Sequence, residues 1–194
     1  MSRNITALII LTLIFSIKCK CQDYSKNSLR IGLGIGINEG MRETGMGALV
    51  SIGFQKSIAN DRIRINPNYM SGGFMPLAIT DTRDQYYRIS SLGINGSLDA
   101  IKTGSFSLFV SVGPHINFTR GLLGTGGWPE AGNTSSDYIF KLYFVGSAAC
   151  GIRINKPASR FAFEYSPFNI SYGTDNFTLL YQKVSLDIKL KNKN

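Results

Sequence analysis

Residues 105–118 read S-F-S-L-F-V-S-V-G-P-H-I-N-F, and their apolar and polar members fall on alternate positions. Phe106, Leu108, Val110, Val112, Pro114 and Ile116 form one set; Ser105, Ser107, Ser111, Gly113, His115 and Asn117 form the other, and only Phe109 is out of step. Successive side chains of a strand point to opposite faces, so this period of two predicts a strand with one apolar and one small or polar face. The same period recurs along the chain. It predicts eight strands, at 29–38, 45–55, 62–71, 85–100, 105–118, 138–154, 160–170 and 178–190.

The segments between these strands alternate in length. Those at 56–61, 101–104 and 155–159 are short, those at 72–84 and 119–137 are long, and 39–44 and 171–177 are intermediate. An even strand count with short turns at one end and longer loops at the other is the layout of a bacterial outer-membrane barrel, whose termini share the short-turn side.

Alternation alone leaves open which set faces inward. With the apolar set inside, the chain would be a soluble lipocalin-like binding barrel. The polar set favours the opposite arrangement. It holds Arg30, Arg62, Arg64, Asp99, Lys141, Arg153, Arg160, Glu164, Lys183, Asp187 and Lys189 among many Gly and Ser residues. Small residues and paired charges suit the narrow, side-chain-filled interior of an eight-stranded barrel. Aromatic residues near the predicted strand ends (Phe54, Tyr69, Tyr86, Tyr87, Phe118, Tyr138, Phe168, Tyr172 and Tyr181) fit girdles at two membrane interfaces. The expected fold is therefore all-β, an eight-stranded antiparallel up-and-down transmembrane β-barrel.

Composition adds export. Arg3 leads into an uncharged apolar run over 5–17, too short to span a bilayer comfortably, and Cys19-Lys20-Cys21 precedes Gln22. Residues 1–21 are expected to be a signal peptide and 22–194 the barrel domain. Lys18 and Lys20 after the run oppose translocation, and lipidation at Cys19 or Cys21 is the rival reading. Cleavage after Cys21 would leave 18 basic against 12 acidic residues and a single cysteine, Cys150, on the apolar set of its strand. A basic excess without basic clusters argues against nucleic acid and for acidic lipid neighbours.

Three stretches carry a resemblance: R-I-R-I-N-P-N-Y at 62–69, L-F-V-S-V-G-P-H-I at 108–116 and R-F-A-F-E-Y at 160–165. The chain resembles the eight-stranded outer-membrane barrel proteins of the porin and PorT-like families of Bacteroidota, relatives in architecture of OmpA and OmpX. The resemblance spans 29–190. It implies a barrel in the outer membrane of a Gram-negative bacterium, surrounded by membrane lipid and lipopolysaccharide, with a structural or interaction role through its external loops. The family often ends its last strand on an aromatic residue; here Leu190 takes that place, followed by Lys191-Asn192-Lys193-Asn194.

Candidate chemistry is sparse. His115 is the only histidine, and its setting is loosely similar to that of lipid A deacylase barrels. Asn117 stands where their nucleophilic serine would be, and an amide has no hydroxyl to activate. Glu164 and Asp187 lie on adjacent strands, close enough in principle for a glycosidase pair, but charge pairing inside the barrel is the favoured expectation. The expected interior charge network comprises Arg30, Arg62, Arg64, Glu164, Asp187 and Lys189. On this assignment inward cations outnumber inward acids eight to three, so a narrow anion-leaning pore is the alternative function. Pro67, Pro114 and Pro167 are expected to mark bulges, and Trp128 is a candidate loop anchor to headgroups or to a protein partner. No metal-ligand spacing, phosphate loop or cofactor motif is found, and no catalytic residue is expected.

Overall fold

The computed structural model describes residues 26–41, 43–77, 86–126, 135–156 and 158–190. The expected signal peptide, Trp128 and the C-terminal Lys191-Asn192-Lys193-Asn194 lie outside these residues. Eight strands form: β1 (Asn27–Glu39), β2 (Thr44–Ile58), β3 (Ile63–Pro76), β4 (Tyr86–Thr103), β5 (Phe106–Gly126), β6 (Ser135–Asn155), β7 (Phe161–Gly173) and β8 (Thr178–Lys189). Each pairs antiparallel with its neighbours in sequence, and β1 pairs with β8, so the sheet closes. Closure leaves no strand edge with unpaired backbone groups, which a hydrocarbon surrounding requires. The seam runs in register from Ser28↔Lys189 to Glu39↔Thr178.

Every strand lies where the period of two places it. The main difference is length at the loop end: β5 and β6 reach Gly126 and Ser135, well into the segment expected to be a long loop. Of the three prolines only Pro167 marks a register shift; at Pro67 and Pro114 the register holds, but the pairing with β2 and with β4, respectively, is interrupted. The β7–β8 register shifts between Ser166 and Asn169, around Pro167, whereas Pro67 and Pro114 sit in an unshifted register opposite Ile94 and Gly146. A further shift at Asp99/Ile101 involves no proline.

The apolar set faces outward. Leu33 and Val112 are each 63% exposed and Phe168 is 73% exposed, amid a continuous belt of Ile, Leu, Val and Phe. That excludes the inside-out soluble barrel, because so extensive an apolar surface is stable only in an apolar solvent. Two of the expected girdle aromatics do not join the belt. Tyr87 is fully buried inside and Tyr181 packs against the interior cluster.

Glycine is needed where the interior wall is crowded. A Cβ on Gly36 would lie 2.5 Å from the Leu180 carbonyl oxygen and 2.6 Å from the Tyr181 Cβ, so glycine there lets Tyr181 enter the barrel. On the facing side, a Cβ on Gly93 would lie 2.4 Å from the His115 ring.

Candidate functional site

The interior divides along the barrel axis into an ionic half and an apolar half. The ionic half lies at the end that carries both termini. Arg30, near the start of β1, reaches two strands at once. Its Nε and Nη2 donate to Asp187 on β8 at 2.7 and 3.0 Å, and its Nη1 and Nη2 donate to Glu164 on β7 at 2.9 and 2.8 Å. The planar guanidinium presents its donors in a fork that matches carboxylates, so one arginine bridges both acids across the closure seam. Arg64 on β3 donates to Asp99 at 2.6 Å and to Glu164 at 3.2 Å, and its guanidinium stacks 5.3 Å from the centre of the Phe109 ring. That contact accounts for Phe109, the one residue out of step in its strand: it faces inward as the apolar floor under a buried arginine.

Arg153 on β6 completes the group. It donates to Asp61 at 2.5 Å and stands 3.5 Å from Asp187. Asp61 was expected in the short connection 56–61, and in the structure it is buried. It belongs to the β2–β3 turn, where Ala59, Asn60 and Asp61 all have positive φ, and this left-handed run folds the carboxylate back into the barrel mouth. Ser57 and Asn155 also donate to it, at 2.7 and 2.6 Å. Burial alone would push the Asp61 carboxyl up, but the Arg153 guanidinium, with the Ser57 hydroxyl, holds it below the usual aspartate value.

Two residues of the expected network stand apart from it. Arg62 is part of the same turn as Asp61 and half-buried; its backbone carbonyl accepts from the Asp99 amide at 2.8 Å, while its side chain enters none of the interior ion pairs among the described residues. Lys189 sits at the last rung of β8, where its Nζ donates to the Lys156 carbonyl at 2.7 Å on the exposed rim. The strand period carries Arg62 and Lys189 to the barrel end, where the chain turns out of the sheet. Lys141 and Arg160 also differ from expectation. Lys141 is partly exposed and lies 3.7 Å from Asp175, and Arg160 is exposed just before β7.

This changes the charge balance. Arg30, Arg64, Arg153 and Lys183 face Asp61, Asp99, Glu164 and Asp187, and Lys102 adds a fifth cation 4.0 Å from Asp61, so five cations meet four acids. The expected eight-to-three cationic bias of the lumen shrinks to an excess of one in this half. Among the charged side chains lies a cavity of about 20 Å3 bounded by Arg30, Asn95, Ser147, Glu164 and Lys183 among others. That is room for roughly one water.

Toward the loop end the interior is apolar. Leu49, Met70, Phe74, Tyr87, Ile89, Leu123, Ile139, Tyr143, Val145, Phe177 and Leu179 form one buried cluster. Phe74 stacks on Tyr87 with ring centres 5.6 Å apart, and Tyr143 tilts against Phe177 at 4.6 Å. The two tyrosine hydroxyls are satisfied from the β1–β2 hairpin. Tyr87 bonds to Asn38, and Tyr143 donates to the buried Glu43 at 2.6 Å. Phe177 enters from the loop after β7, following a short 3₁₀ turn at Thr174–Asn176.

His115 lies between the halves, at mid-height on β5. Its Nε2 is 3.0 Å from Asn95 Oδ1, which also accepts from Ser147 at 3.0 Å, and its Nδ1 is 3.1 Å from Ser91 Oγ. With Nε2 donating to the amide oxygen and Nδ1 accepting from the serine, both ring nitrogens tie β5 to β4, and Ser147 of β6 joins through Asn95. Asn117 is buried two residues on. Glu164 and Asp187 share one arginine and are closed off from solvent, so no sugar has access to them.

No family model and no curated protein sequence matches the chain. Solved structures do. Neisserial surface protein A (NspA) is similar with a TM-score of 0.62 at 11% identity, over 86% of this chain and 98% of that one. Ail, the attachment invasion locus protein of Yersinia pestis, is similar with a TM-score of 0.52 at 12% identity, over 86% of this chain and 99% of that one. The chain thus has the fold of the eight-stranded outer-membrane barrels, with the apolar-out, polar-in sidedness of a barrel solvated by lipid.

Proposed function

We propose that the chain is exported by a signal at residues 1–21, and that residues 22–194 form an integral outer-membrane barrel. It acts without catalysis, in a structural or interaction role presented from its loop end. Its surroundings are outer-membrane lipid and lipopolysaccharide. The finer kinship, with the porin and PorT-like families of Bacteroidota, is proposed on the three strand motifs.

The observation that carries this reading is the combination of a lipid-facing wall with an interior filled from end to end. Paired charges fill one half and a stacked aromatic cluster fills the other, so the barrel is a rigid mount rather than a conduit. The β5–β6 hairpin is the part that reaches farthest: each of its strands is 21 residues long, against 12 to 18 for the other six. Its exposed Tyr138 offers contact surface beyond the sealed lumen.

Reconstitution of the full chain into a planar bilayer tests the sealed interior. No steady unit conductance is expected in molar potassium chloride. Discrete, stable openings with anion preference would contradict it and favour the narrow pore.

A further inference from the structure

The outer wall of β3, β4 and β5 carries one polar interruption in its apolar belt. Arg88 on β4 and Arg120 on β5 are directly opposite each other in the register, and both are exposed. Outward-facing like charges on directly paired positions repel and destabilise a sheet unless something bridges them. Among the described residues, neither arginine takes part in an ion pair. The groups around them are hydrogen-bonding ones. Arg88 Nε donates to Ser71 Oγ at 2.8 Å, and the Tyr69 hydroxyl, within electrostatic reach of both arginines, lies 3.4 Å from Ser90 Oγ. The Ser71 contact fixes one edge of the Arg88 guanidinium and leaves its two terminal nitrogens for another acceptor.

Height on the barrel identifies the occupant. The outward apolar run on β5 goes from Phe106 to Phe118, and Arg120 is the next outward residue. At about 3.4 Å per residue and a tilt near 45°, that run is roughly 29 Å tall, slightly more than the apolar band of about 25 Å on such barrels. Arg120 and Arg88 therefore stand at the hydrocarbon boundary on the loop side. The groups within reach at that height are lipid headgroups.

We propose that Arg88 and Arg120, with Tyr69 and Ser90, bind the phosphate of a lipid in the loop-side leaflet. A phosphate accepts two guanidinium forks at once and cancels the repulsion between them. The exposed Tyr86 and Phe140 flank the pair and lie beside the acyl and glycerol or sugar region of the same lipid. This site rests on the membrane reading above.

The test uses the full chain folded in dodecyl maltoside, with lipid binding followed by native mass spectrometry. The probe is lipid A carrying two phosphates, compared with the same lipid stripped of phosphate and with inorganic phosphate as competitor. The wild type is expected to prefer the phosphorylated lipid. Arg88→Gln and Arg120→Gln are each expected to weaken it about tenfold, and the double variant about a hundredfold, while binding of the stripped lipid is unchanged. Equal binding of phosphorylated and stripped lipid by the wild type overturns the site and needs no variant. Equal binding by wild type and double variant also overturns it, as does displacement by millimolar inorganic phosphate. Each sample is checked for heat-dependent gel mobility. A wild type that lacks this shift overturns the membrane reading, and the site with it; a shift retained alongside phosphate-blind binding overturns the site alone.

Discussion

Arg30→Met is expected to lower the stability of the barrel by about 3–5 kcal/mol, the usual cost of removing one partner from a buried ion pair. Arg30 donates four hydrogen bonds to Glu164 and Asp187, and all three side chains are buried. Without it, among the described residues Glu164 keeps the Arg64 ion pair at 3.2 Å, and Asp187 keeps Arg153 at 3.5 Å and Gln55 at 3.3 Å. The cost comes from two carboxylates left under-compensated in a dry interior, rather than from the net worth of the pair. Because Arg30 and Asp187 face each other across the β1–β8 seam, the loss falls on the contact that closes the barrel. Arg30→Lys restores the charge but not the fork, so it should recover part of the loss. Arg62→Met is the control; in the turn and outside the interior ion pairs, it should change stability by no more than about 0.5 kcal/mol. Urea unfolding in micelles, followed by far-ultraviolet circular dichroism, measures all three. Equal losses for Arg30→Met and Arg62→Met would contradict the placement of the network.

Phe74→Ala should cost a similar amount, about 3–5 kcal/mol, by a different mechanism. Phe74 is completely buried, stacked on Tyr87 and packed among the apolar residues of the loop-end half. Truncation removes the transfer free energy of the ring and leaves a cavity that a hydrogen-bonded barrel wall cannot collapse to fill. The loss should be local. Amide exchange is expected to rise in the loop-end halves of β3 and β4 while the rungs around Arg64 and Asp99 stay protected. Uniform loss of protection along the barrel would show that the two halves are not separately packed.

Much of this architecture was legible because a strand's period is insensitive to tertiary context. Leu29, Ile31, Leu33, Ile35 and Ile37 against Arg30, Gly32, Gly34 and Gly36 is a pattern that only a two-faced strand satisfies, and it placed Arg30, Arg64, Glu164 and Asp187 on the inner face. Asp61 was missed because a turn residue has no period to read; three successive left-handed residues, none of them glycine, bring it inside. Arg62 and Lys189 were misplaced for the complementary reason: Arg62 lies one residue before β3 and Lys189 on the last rung of β8, and the period gives the face of a residue but not its distance from the barrel end. The apolar plug left a fainter signal. Leu49 between Ala48 and Val50, Val145 after Phe144 and Leu179 before Leu180 are places where alternation gives way to a continuous apolar run, as it does when both faces of a strand are covered. Those interruptions were the trace of a packed loop-end interior. The pairing of Arg88 with Arg120 depends on the register between β4 and β5, which neither strand's own pattern specifies.

The central claim is a lipid-embedded, closed barrel, and gel mobility tests it most directly. The full chain, residues 1–194, is expressed, outer membranes are isolated, and the protein is run on a denaturing gel unboiled and boiled. The account predicts that the protein is in the membrane fraction and that its mobility changes only on heating, because the closed ladder resists detergent until thermally unfolded. Soluble periplasmic protein with identical mobility in both lanes would contradict it.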